Sequence, residues 1–560
     1  MSSIIICINN NLKYDMRVIR QVRTFAEAFD KVFVCAKPSP DRTEHVQLDN
    51  VEWKWFESEE AKDLKGIQEL SRKYNLFDRL IPFAPVIADD GYLNSQRNID
   101  FEIAVQETLI GHSRWDEIKT GTPLAIPDAE QLPWVTFNLD LLLQWADFVA
   151  GIEADVIYCN DFDSLLCGVV HKGVHGSRLV YDEHDIFCDS FPSLFPLMYR
   201  YFIAQYEYEF LKDIDALVSV SESAVKWTVD KYDLACPSLF VPNCKDFSEE
   251  MIEGEKDFSL PIRLYYQGYV SIGRGIEEII EVLRHTEDAV LCLRCLENEY
   301  VLGLKDFVEK NSLENKVRFL DPVPPTEVIS AAYAGGDIGL SVMGTHSSIG
   351  IRNTITNKLI EYLTAGMPVI VSEEMQDQRD IVKKYNAGFV IGKDIKEDLL
   401  HVLDVIKKTP GLLREMSRNA RKASEELFRW DTYKERFLAL VTGENEALQK
   451  GRPEIQKHVS NEDLAAEIVI LKKVIVLIME NRLENVADLK DLKEKHADLW
   501  EDVIALQDKN IQLDSLRIEL ESEKAALEYE LESMKTSKSW KLGRMATAPG
   551  RALRKIARKN

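Results

Sequence analysis

Residues 265–280 read YYQGYVSIGRGIEEII: an apolar run ending in glycine, a turn holding two more glycines, then acidic and apolar residues at helical spacing. That order is a buried strand, a glycine-rich turn and the opening of a helix. In such a turn backbone N–H groups and the positive end of the helix converge on one point, which suits a phosphate. Gly268, four residues, Gly273, then Arg274 and Gly275 imitate a Walker A loop, with arginine in place of lysine and glycine in place of Ser or Thr. The turn keeps a cation for phosphate and lacks the hydroxyl that holds magnesium. A diphosphate leaving group balanced by protein charge fits this pattern, and a tight turn with an exposed arginine is the plainer alternative.

Outward from this turn the same alternation repeats in both directions. On the C-terminal side AVLCLRCLE, KVRFLDPV, GGDIGLSVMG, GMPVIVS and AGFVIG read as strands, separated by helical stretches such as GIEEIIEVLRHT and TNKLIEYLTAG. On the N-terminal side SIIICIN, KVFVCAK, DVIYCND, RLVYDEHD and DALVSVS alternate with helices such as DMRVIRQVRTFAEAF. Continuous apolar strands separated by amphipathic helices make parallel sheets covered on both faces. The expected fold class is α/β, with two tandem doubly wound Rossmann-like domains, over 1–245 and 246–425. A mixed segment at about 57–140 reads as an insertion in the first domain. A helix over 426–443 is expected to pack back on the first domain. Ligands of such sheets bind beyond the carboxyl ends of the strands, so a shared site belongs in the cleft between the domains.

The net charge of -25 is unevenly spread: Lys535 to Asn560 hold nine Lys or Arg and no acid, so the other 534 residues carry -34. An acidic body argues against nucleic-acid binding, and the basic tail suits an anionic membrane surface. Nine cysteines scattered through apolar runs read as reduced thiols. Cys292 and Cys295 form a lone C-x-x-C inside a strand with no second pair at zinc spacing. The start, MSSIIICINNNLKYD, lacks a basic leader, and no apolar run reaches the ~18 residues of a membrane span. A cytoplasmic protein, peripheral on the inner face of the membrane, is expected.

The stretch RNTITNKLIEYLTAGMPVIVSE, residues 352–373, resembles the donor-binding motif of GT-B glycosyltransferases, specifically the retaining glycosyltransferase family 4, in which an E-x7-E helix leads into EAxAxGxPVI. The resemblance extends over roughly residues 1–440. YQGYVSIGRGIEEII is similar to the family's phosphate loop with Arg274 at its lysine, VPN to the exit from the first domain, and YDEHD to the DxH segment facing the cleft. The resemblance implies transfer with retention, without metal, from a UDP- or GDP-linked sugar to a glycan or lipid-linked acceptor.

It also implies roles for individual residues. Glu361, with Arg274 and His184, belongs to the catalytic set, and Glu361 falls where the family holds the donor ribose. Donor contacts fall to Gly268, Gly273, Gly275, Asn353, Thr354, Asn357 and Lys358. The family's first glutamate is replaced by Asn353, which removes a charge. Asp15 and Arg17 resemble a D-x-R-V form of the acceptor loop. At helical spacing Arg17, Arg20 and Arg23 form either a face suited to a phosphorylated or lipid-linked acceptor or an ordinary solvated one. Asp161 and Asp163 make a D-x-D that reads better as a helix N-cap than as a metal site, and Asp161 is placed on the acceptor side.

After a linker at 444–462, residues 463–535 carry a heptad repeat. Taking Leu464 as d gives 21 a and d sites through Met534, of which 15 are apolar. Leucine dominates d, and Asn510 occupies an a position, which favours a parallel dimer; a long helix folding back on the body is the alternative. The tail at 536–560 mixes Trp540, Leu542, Leu553 and Ile556 with its cations, an interfacial pattern. It resembles the S-x-S-W-[RK]-L segment of bacterial surface-polysaccharide transferases. Two other functions fit the same letters: a nucleotide-sugar epimerase on this fold, and a scaffold whose transferase site has decayed.

Overall fold

The computed structural model describes residues 2–10, 12, 15–38, 42–57, 64–76, 79, 139–190, 197–244, 256–271, 273–343 and 348–444. The coiled coil expected at 463–535, the basic tail, all but the first residue of the linker and most of the 57–140 segment lie outside them.

Thirteen strands form two sheets among the described residues. The first holds β1 (Ser3–Ile8), β2 (Lys31–Ala36), β3 (Val51–Trp55), β4 (Val156–Asn160), β5 (Arg178–Glu183), β6 (Ala216–Ser219) and β7 (Ser238–Phe240) in the order β3-β2-β1-β4-β5-β6-β7. The second holds β8 (Ile262–Gln267), β9 (Ala289–Arg294), β10 (Val317–Leu320), β11 (Ile338–Ser341), β12 (Val369–Ser372) and β13 (Gly388–Ile391) in the order β10-β9-β8-β11-β12-β13. Every pairing is parallel.

Central strands explain the continuous apolar runs. In β1, Ile5 lies opposite both Phe33 and Ile157, and Ile4, Ile5, Ile6 and Cys7 are all buried. Both faces are covered by helices, so no polar alternation is tolerated there. β3 was not among the expected strands: VEWKW alternates, because it is an edge strand with only Trp53 fully buried. Within the segment read as an insertion, a helix at Leu64–Lys73 is present, and Leu70 and Leu76 join the first domain's core.

Strand order reverses direction between β1 and β4 in the first sheet and between β8 and β11 in the second. Those switch points open a crevice at the carboxyl ends of the strands. The two domains meet along a polar seam. Ser221 Oγ donates to the Asn353 carbonyl (2.5 Å), and Asn243 Nδ2 to Asn357 Oδ1 (2.9 Å). The Ser223 amide donates to Asp377 (3.3 Å). The short Ile349–Arg352 helix packs on Phe187–Ser190, placing Ile349 in the first domain's core. The Asp431–Thr442 helix crosses back: Phe437 stacks on Phe25 at 5.4 Å, Trp430 Nε1 donates to Thr24 Oγ1 (3.0 Å), and Arg178 holds the carbonyls of Leu440 and Val441.

All nine cysteines are free thiols, and Cys292 and Cys295 are buried at the end of β9. No described helix is long and apolar enough to cross a membrane.

Candidate active site

The second domain's half of the crevice begins where β8 ends. Gly268 has φ +103° and Gly275 φ +70°, left-handed backbone that side chains disfavour. At Gly275 a Cβ would also stand 2.9 Å from Ile395 Cδ1. Gly275 is the N-cap of the Ile276–Leu283 helix and no side chain caps that helix, so its first amides remain without a side-chain acceptor. Arg274, partly buried beside them, donates to Met343 Sδ at 3.4 Å and makes no ion pair among the described residues.

The Asn357–Thr364 helix supplies the opposite wall. Thr356 caps it through the Leu359 amide (3.3 Å), which aims Lys358 and Glu361 at the β8 turn. Lys358 Cε lies near Gly268, and its ammonium sits 5.1 Å over the Tyr266 ring. Burial first, and then Arg274, push the lysine down to about 7 despite Glu361. Glu361 accepts from Gln267 Nε2 at 2.7 Å. Lys358 and Glu361 therefore converge with Gly268 and Gln267 at the end of β8, and Arg274, on the same glycine turn, acts on Lys358. Sequence reading passed over Gln267, because at the end of an apolar strand it looks like a mere boundary.

Asn353 is not part of this convergence. Its side chain donates to the Ile349 carbonyl (2.9 Å) and is buried, so the residue closes the short helix and its own carbonyl joins the domain seam. Asn357 faces Asn243 across that seam, and the Thr354 carbonyl accepts from Gln378 (3.0 Å). Expected as donor contacts, these three positions tie the domains or the local fold together.

The first domain's half is built around Asp182 at the end of β5. It is fully buried and accepts from Arg17 Nε (3.0 Å) and Nη2 (2.7 Å), Gln21 Nε2 (2.6 Å) and Tyr158 OH (2.8 Å). Burial opposes its charge, but Arg17 and His184 hold the carboxyl well below the usual range. Arg17 is thereby consumed: its remaining nitrogen binds the Val241 carbonyl (2.6 Å) and Asn243 Oδ1 (3.2 Å). Arg20 is also buried, lying 5.8 Å over Trp430, and only Arg23 is exposed. The Met16–Ala28 helix therefore presents neither a solvated nor a phosphate-binding arginine face, because two of its three arginines point into the core. Asp15 caps that helix through the Val18 amide (3.1 Å).

His184 lies between carboxylates. Nδ1 is 3.4 Å from Asp161, Nε2 is 3.3 Å from Asp182 and 3.1 Å from Asn160 Oδ1, and the His184 amide donates to Asp161 (2.9 Å). Burial disfavours the imidazolium, yet Asp161 and Asp182 prevail and raise His184 to about 9. Asp161 itself is pushed up by burial, with His184 opposing. Asp161 does not cap the Phe162–His175 helix with its side chain, contrary to the N-cap reading; at φ +63° it turns to His184 instead. Asp163 accepts from Asn9 Nδ2 at 2.5 Å. Among the described residues no three His, Cys, Asp or Glu side chains are grouped to hold one metal ion.

Residues 256–423 match the family described as glycosyl transferases group 1. No curated protein sequence matches the chain. Among solved structures, the sucrose-phosphate synthase of Thermosynechococcus elongatus superposes with TM-score 0.54 at 12% identity, covering 79% of this chain and 99% of that one. Anabaena HepE, in complex with UDP and glucose, gives 0.52 at 12% identity over 79% and 100%. A glycosyltransferase from Rickettsia africae gives 0.50 at 10% identity over 80% and 99%. Residues 256–423 are thus similar to the glycosyl transferases group 1 family, and the described residues share the two-domain GT-B fold of these solved structures.

Proposed function

We propose that the chain transfers a sugar from a UDP- or GDP-linked donor to a glycan or lipid-linked acceptor, with retention at the anomeric carbon and without a metal. The observation that carries this is the convergence, at the carboxyl end of β8, of an uncapped helix start with Arg274, Lys358 and Glu361. As the bond to the diphosphate breaks, negative charge grows on the departing oxygens. Donors already fixed there stabilise it without reorganising. Arg274 and Lys358 carry that charge balance, and Gly275 stands where a magnesium-binding hydroxyl would be needed. Glu361, oriented by Gln267, takes the ribose hydroxyls. The HepE structure with UDP and glucose is consistent with a nucleotide-sugar ligand for this fold.

The C-terminal sequence pattern supports a location for the reaction. The basic, aromatic tail holds the enzyme on the inner face of the cytoplasmic membrane, where a bacterial surface polysaccharide is extended, and the heptads pair two catalytic heads. Incubating the chain with labelled UDP- and GDP-sugars and a panel of glycan acceptors tests the reading. Transfer that collapses in Arg274→Ala supports it; transfer that persists at wild-type rate in that variant refutes the site. A donor consumed equally fast with and without acceptor identifies an epimerase or hydrolase instead.

A further inference from the structure

Five carboxylates stand where β4 and β5 end, and their hydrogen bonds separate them. Asp182 is held by Arg17, Gln21 and Tyr158; Glu183 by Ser219 and Thr228 (2.9 and 2.8 Å). Asp161 is held by His184 and Asp163 by Asn9. Asp185 alone has no hydrogen-bond or ion-pair partner among the described residues, and the residue is half-buried. It precedes the Phe187–Ser190 helix, which packs on the second domain's Ile349–Arg352 helix, so it stands at the mouth of the interdomain crevice. The charge acting on it from across that crevice is Arg274. His184 is turned to its own domain, with Nε2 facing Asn160 and Asp182 and Nδ1 lying 3.4 Å from Asp161.

We infer that Asp185 is the first domain's acceptor-binding residue, taking a hydrogen bond from a neutral sugar hydroxyl of the acceptor, opposite the donor diphosphate. This rests on the transferase reading above and adds the acceptor's chemistry to it. A carboxylate accepts a hydroxyl proton strongly in a site of low dielectric. An acceptor phosphate at the same place would meet the Asp185 carboxylate, with Arg17 already spent on Asp182. The phosphorylated or lipid-linked acceptor that the helix arginines offered as one alternative therefore gives way to a neutral hydroxyl at this point.

The test uses the full chain, UDP and GDP as binding probes, and two acceptor sets, p-nitrophenyl glycosides and sugar 1-phosphates. Asp185→Asn and Asp185→Ala should melt at the wild-type temperature, since the side chain holds nothing in the fold. Both should bind the nucleotide at least as tightly as the wild type, and neutral glycosides should be the working acceptors. Acceptor KM should rise about tenfold or more in Asp185→Ala. An unchanged acceptor KM, or a preference for sugar phosphates, overturns the inference while leaving the transferase reading intact. Failure of the wild-type chain to bind either nucleotide refutes the transferase reading itself. Nucleotide binding with transfer to neither set counts against the assigned acceptor chemistry.

Discussion

Replacing Lys358 with methionine should abolish a proton uptake that accompanies nucleotide binding. In the empty site burial and Arg274 lower this lysine from 10.5 to about 7. At pH 8 the empty site is therefore about nine-tenths neutral, and at pH 6 about nine-tenths protonated. A diphosphate favours the ammonium, so binding at pH 8 draws in roughly 0.9 proton and binding at pH 6 roughly 0.1. Affinity should fall by up to about tenfold per pH unit above 7, until the lysine of the complex itself titrates. Calorimetric titration of UDP or GDP at pH 8, in buffers of different ionisation enthalpy, counts the protons directly. The nucleotide's own phosphate is fully ionised at pH 8, and Lys358→Met supplies the baseline. An observed enthalpy independent of buffer at pH 8 in the wild-type chain would refute the placement of Lys358 beside the diphosphate.

Three further outcomes follow from the first domain and the tail. Arg17→Met strips the buried Asp182 of its guanidinium partner, leaving His184, Gln21 and Tyr158, and should cost roughly 3–5 kcal/mol in urea denaturation, with nucleotide affinity retained; unchanged stability with a raised acceptor KM would restore Arg17 to the acceptor side. His184 is raised to about 9 by Asp161 and Asp182 against burial, so its contribution is complete below about 6.5 and lost as pH rises through 9. Wild-type stability should decline over that window relative to His184→Gln, and parallel pH profiles of the two would contradict the imidazolium. Deleting residues 536–560 should shift the chain from anionic vesicles to the supernatant in a sedimentation assay; unaltered partition would remove the membrane anchor.

The domains were legible because central parallel strands leave a plain trace: IIICI, VIYCN and VLCL are apolar on both faces. β3 was not, since an edge strand such as VEWKW alternates and stands just before a polar segment. The second domain's half of the crevice was readable from local letters, glycines and an arginine within eight residues, and Lys358 and Glu361 on one helix face. The first domain's half was not, because its chemistry is assigned by distant partners. Nothing near Arg17 announces that Asp182, 165 residues later, will bind it on two nitrogens. Asp185 looked like one more acid in YDEHD until its neighbours were found to be occupied. Asn353 matched a motif by spacing, but the fold uses it to close a helix.

Diffraction from crystals soaked with UDP or GDP tests the central claim most directly. The account predicts a diphosphate seated on the amides at the start of the Ile276–Leu283 helix, between Arg274 and Lys358, with the ribose at Glu361. Nucleotide bound elsewhere, or that crevice empty under conditions where calorimetry shows saturation, would contradict it.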